Sequence, residues 1–95
     1  MEKSYCLVFN IKTPRGYEPY AKFSLGQDAA FAEQVFKRLK GIQNPAETCM
    51  LQIDFMESSN GLPMHLEVMS CSLEEMSENF VFITKEIFKR ISMEN

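Results

Sequence analysis

The sequence predicts an α+β domain: a two-layer sandwich in which a four-stranded antiparallel sheet carries two helices on one face. Three observations predict it. Apolar and polar residues alternate over four short stretches, apolar residues recur at helical spacing over two longer ones, and these stretches follow one another as ββαββα. With 95 residues the chain makes a single domain, 1–95.

"SYCLVFNIK" (Ser4–Lys12) sets Tyr5, Leu7, Phe9 and Ile11 on one side and Cys6, Val8 and Asn10 on the other, the pattern of a half-buried strand. "TPRGYEP" is rich in turn residues, and "YAKFSL" alternates again with Ala21, Phe23 and Leu25 inward. Asp28 then suits a helix N-cap, because its carboxylate can accept from the free N–H groups of the first turn. Phe31, Ala32, Val35, Phe36 and Leu39 form that helix's apolar stripe, Gly41 ends it, and "QNPAE" is a linker.

The second half repeats the plan. "CMLQIDFME" predicts a strand with Leu51, Ile53 and Phe55 inward, "SSNGLP" a turn, and "MHLEVMS" a strand with Met64, Leu66 and Val68 inward. In "CSLEEM", Ser72 and Glu75 have the spacing of a capping box, with Cys71 and Met76 as its hydrophobic staple. Leu73, Met76, Phe80, Ile83, Ile87 and Ile91 form the last helix's apolar face. Laid over each other at one constant offset, the halves match Leu7 with Leu51, Phe9 with Ile53, Asp28 with Ser72 and Phe36 with Phe80. Their second strands match one residue later, as a β-bulge would require. The domain thus reads as two ββα pseudo-repeats, about 4–41 and 49–92. Right-handed crossovers predict the strand order 1-2-4-3, which is topologically a circularly permuted ferredoxin-like sandwich. That architecture hosts many unrelated functions, so function must be argued from a site.

Composition narrows the classes. A net charge of −3 and a pI near 5.1 argue against nucleic acid as a partner, which needs a cationic field. No apolar run reaches membrane-spanning length, and the N-terminus has no signal-peptide pattern, so no membrane is expected and a cytoplasmic location is. Cys6, Cys49 and Cys71 are odd in number and widely spaced, which fits reduced thiols rather than a disulfide framework. No C-x-x-C, G-x-G-x-x-G, P-loop or G-x-S-x-G occurs, and no cofactor is expected.

Two residue types that carry chemistry stand close in "MHLEVMSCSLEEM": His65, the single histidine, and Cys71. Six residues along a strand separate them by about 20 Å, whereas a nucleophile and its base must approach to about 3 Å. No catalytic residue is assigned, and Asp54, His65 and Glu67 have too generic a spacing to make a metal site. What remains is a surface. The outward side of the sheet is expected to gather His65, Glu67, Met69, Lys22, Asp54, Val8 and Met50, a mixture too apolar for routine solvent surface. The expected function is association: a homodimer through this face, which a small ligand can share. The alternative is a small enzyme with its site on the same face or between subunits. Phe82, opposite the apolar stripe, and Phe88 on its flank are candidate anchors for a protein partner.

Overall fold

Alternation along the chain becomes pleat in the computed structural model, which describes residues 3–42 and 50–94. Its elements are β1 (Lys3–Thr13), β2 (Gly16–Gly26), α1 (Ala29–Lys37), β3 (Leu51–Ser59), β4 (Leu62–Cys71) and α2 (Leu73–Glu94). The linker over 43–47 and Cys49 lie outside the described residues. Leu7, Phe9, Ile53 and Phe55 of β1 and β3 are buried, with Leu25 of β2 and Met69 of β4 beside them. Phe36 of α1 stacks on Phe55 at 5.1 Å, and Phe80 of α2 meets Phe9 at 4.8 Å and Phe23 at 5.2 Å. Both helices therefore pack on one face of one antiparallel sheet, the predicted α+β sandwich.

The strand order is β2-β1-β3-β4, not the expected 1-2-4-3. β1 is antiparallel to both β2 and β3, so β2 and β3 run parallel with β1 between them. The physical reason is in the strands themselves. β2 contains Pro19 and β4 contains Pro63, and proline has no N–H for a ladder on both sides. Each can lie at an edge but not between two neighbours. β1 and β3 carry no proline, and they pair with each other in the centre of the sheet, with Leu7 opposite Phe55, Phe9 opposite Ile53 and Ile11 opposite Leu51.

The turns are tighter than expected. Thr13 pairs with Gly16 across Pro14 and Arg15, so β2 begins inside the stretch first assigned to a turn. The Thr13 hydroxyl accepts from the Arg15 N–H and donates to the Gly16 carbonyl. In the second hairpin, Asn60 and Gly61 have φ of 54° and 82°, the left-handed conformations of a two-residue type I′ turn.

β4 reverses its expected phase. Ile53 opposes Met69 and Leu51 opposes Cys71, so both sulfur-bearing residues face the helices, and Met69 is 2% exposed. Val68, opposite Asp54, faces outward instead. A bulge accounts for this. The ladder passes from Phe55–Glu67 to Met56–His65, leaving Leu66 as the extra residue. One extra residue restores the alternation on one side of the bulge and inverts it on the other.

Asp28 caps α1 by accepting from the Phe31 N–H at 3.2 Å. Ser72 and Glu75 form the capping box of α2 through reciprocal bonds of 3.1 and 2.9 Å. The helices lie antiparallel, joined along their length. Asn79 donates to the Lys40 carbonyl and accepts from its N–H, both at 2.9 Å. Arg38 sits over Phe82 at 4.6 Å and pairs with Glu86 at 3.3 Å. Arg90 stacks on Phe31 and binds Asp28. Phe82 thus belongs to the helix–helix contact and is not a free anchor. Positions 79, 82, 83, 86 and 90 turn toward α1 and the core, while Leu73 and Ile91, assigned to the apolar face, are mostly exposed.

Gly41 lets the chain leaving α1 pass close to β4. Ile42 and Ser70 exchange backbone hydrogen bonds of 2.7 and 2.8 Å there, and a Cβ at residue 41 would collide with the Ser70 carbonyl oxygen. Gly41→Ala is expected to lower stability by about 1–3 kcal/mol, because the bridge must open. Ser70→Ala removes a buried hydroxyl that lacks a partner among the described residues. It should leave stability unchanged or raise it by up to about 1 kcal/mol. Urea unfolding of the two variants checks the pair.

Candidate functional site

The pleat that sends the large side chains toward the helices sends a second set to the opposite face. No helix or strand among the described residues lies across that face. Pairing arranges its side chains in rows that cross all four strands. One row is Ser24, Cys6, Met56 and His65; the next is Lys22, Val8, Asp54 and Val68; beyond it Asn10 and Gln52 lie side by side. Cys6, Val8, Met56 and Val68 are half-buried by their neighbours, while Lys22, Ser24 and His65 stand exposed. Apolar groups on β1, β3 and β4 thus lie among polar ones.

Electrostatically the face is divided. Lys22 lies on the β2 side. Asp54, on β3, accepts a hydrogen bond of 2.8 Å from the Asn10 side chain and has His65 Nδ1 at 3.9 Å. The Asp54 side chain is 18% exposed and that of His65 is 71% exposed. A carboxylate held this way presents a fixed negative point beside an apolar surface. An exposed pair of this kind contributes little to stability.

The expected site residues divide accordingly. Val8, Lys22, Asp54 and His65 meet on the open face, and Met50 stands exposed at the entry to β3. Met69 does not; it is core. Glu67 opposes Phe55, so it belongs to the helix-side face, where it is exposed on the edge strand. Cys71 also faces the helices, so it and His65 lie on opposite faces of the sheet and cannot act as a dyad. Val68 was missed, because the bulge that turns it outward has no marker in the sequence. Among the described residues no group of three or more His, Cys, Asp or Glu is placed to hold a metal ion, and no helix is long and apolar enough to cross a membrane.

A cleft between the end of β2 and the two helices is lined by Leu25, Gln27, Asp28, Phe31, Ile87 and Arg90. Its charged groups are occupied with each other. The Phe31 N–H and the Arg90 guanidinium hold the Asp28 carboxyl below its usual value of 3.8. A lowered native pKa means that this contribution is complete above the ordinary aspartate range and is lost as pH falls through the native value. The cleft reads as a lock between α1 and α2.

Burial, with Glu75 nearby, pushes the Cys71 thiol up to about 11. At pH 8 its thiolate fraction is then lower than that of an ordinary thiol by about two orders of magnitude. In a variant with Cys6 and Cys49 replaced by serine, iodoacetamide should alkylate Cys71 at least about tenfold more slowly in the native protein than in urea, since the loss of thiolate is partly offset by the greater nucleophilicity of a higher-pKa thiolate. Mass spectrometry measures both rates, and equal rates would contradict a staple role.

Comparison of the chain with protein-family models, with curated proteins and with solved structures gives no match.

Proposed function

We propose that this domain is an association module whose open sheet face packs against the same face of a second copy. The observation that carries the reading is the row Lys22, Val8, Asp54, Val68, because it is complementary to itself. Sheets pack face to face at about 10 Å with their strands nearly aligned. A two-fold axis parallel to the strands, between β1 and β3, lays β2 over β4 of the other copy. Lys22 then lies over Val68 of the second copy, with that copy's Asp54 on the next strand, while Val8 and Met56 of the central strands lie at the centre. An axis across the strands sets β2 on β2 and Lys22 on Lys22, which like-charge repulsion disfavours. The half-apolar, half-buried centre supports the same reading, since removing it from water is favourable while the polar frame fixes the orientation.

The same reading takes the two halves as ββα repeats. The pairing of β1 with β3 supports this: it sets Phe9 opposite Ile53, which are matched positions of the two halves.

Lys22→Glu and Asp54→Lys should each weaken dimerisation at least about tenfold, since each brings like charges onto neighbouring strands across the interface. The double variant exchanges the charges and should restore it. Sedimentation velocity across the micromolar range reads the outcome, with circular dichroism to confirm the fold. A wild-type chain that stays monomeric at 100 µM, or single variants that dimerise as wild type does, would sink the proposal.

A further inference from the structure

The other side of the sandwich carries a second self-complementary surface, on a different set of residues. α2 spans 22 residues, or about 33 Å. One side of it packs on the sheet and α1 through Met76, Asn79, Phe82, Ile83 and Glu86. On the opposite side Leu73, Ser77, Val81, Thr84, Phe88 and Ile91 fall within an arc of roughly 80° at 100° per residue. The arc contains no charge. Leu73 is 69% exposed, Phe88 65%, Val81 54% and Ile91 51%. A lone exposed apolar residue is ordinary. Four on one uncharged stripe, separated by small hydroxyl residues, form a patch.

The charges that border this stripe identify its occupant. Glu74 and Glu78 lie along one flank in the N-terminal half of α2, and Lys85 and Lys89 continue the same flank in the C-terminal half. In an antiparallel pair related by a two-fold axis, the same flank of both helices is brought together. One register then sets Glu74 beside Lys89 of the other copy and Glu78 beside Lys85. The same register places Phe88 level with the gap between Leu73 and Ser77 of the second helix, where serine leaves room for the ring. A parallel two-fold pair would instead set this flank against the opposite one, where Phe80 and Ile87 offer no charge to meet it. Glu78 is paired with Lys40 at 2.9 Å and Lys89 with Glu86 at 3.2 Å, but these bonds are exposed and worth little, so the side chains are available to a second copy.

We infer that the outer stripe of α2 is a homotypic interface in which α2 pairs antiparallel with α2 of a second copy. The stripe and the open sheet face lie on opposite layers, so one copy can engage a neighbour through each. Higher assemblies than a dimer then become possible.

Charge exchange tests this separately from the sheet face. Glu74→Lys/Glu78→Lys makes the flank wholly basic, and Lys85→Glu/Lys89→Glu makes it wholly acidic. Each double variant alone should lose α2-mediated self-association, with an apparent Kd raised at least about tenfold. An equimolar mixture should recover it as a mixed species, seen by sedimentation velocity with one variant fluorescently labelled. Recovery also excludes simple misfolding of either variant. Lys22→Glu should leave that recovery intact, which separates this interface from the sheet face. Phe88→Ala in both partners should weaken the mixed species. Unchanged self-association of either double variant, or a mixture no more associated than its components, would overturn the inference.

Discussion

The antiparallel pairing of β1 with β3 is the contact on which the rest of the molecule depends. It brings Leu7, Phe9, Ile53 and Phe55 into one buried block, on which Phe36 and Phe80 set the two helices. It also confines β2 and β4 to the edges, where Pro19 and Pro63 can be tolerated. The same pairing has a second consequence. Every strand that sends one side chain to the core sends the next one outward. The two central strands therefore present Cys6, Val8, Asn10, Gln52, Asp54 and Met56 in contiguous rows on the other face.

Much of this was legible in the chain. The elements, the caps at Asp28 and Ser72 and most of the core follow from period and local chemistry, because those signals act over a few residues. Strand order does not act locally. Its signal was present in Pro19 and Pro63, which matter only once a strand is asked to pair on both sides. The face assignment of Met69 and Val68 failed for another reason. A single extra residue at Leu66 shifts the alternation, and nothing in the composition of a strand marks a bulge of this kind. Phe82 looked free on a helical wheel because a wheel knows only one neighbour. The second neighbour is α1, whose Arg38 covers the ring. Asn79, polar on a buried side, is explained by the end of α1: it satisfies both backbone groups of Lys40.

A two-layer sandwich of this size cannot cover both of its outer surfaces. The molecule measures 43 × 29 × 20 Å, and its short dimension is one sheet plus one layer of helices. Apolar groups that do not fit the single core lie outside it, on the sheet face and on the outer stripe of α2. On both surfaces they are bordered by charges of opposite sign in separate halves. This arrangement is the basis on which a two-fold copy is proposed as its partner. On the proposed reading, the candidate site is a surface that a second copy covers, and its chemistry is recognition.

Intermolecular nuclear Overhauser effects between differently labelled copies give the most direct test of the sheet-face interface. One copy would carry labelled valine methyls and the other labelled methionine methyls, mixed at concentrations above the dimer midpoint. Pairing of the sheet faces predicts cross-peaks from Val8 of one copy to Met56 of the other, with none to the buried Met69. Absence of a cross-peak at Val8 in a sample shown to be associated would contradict it.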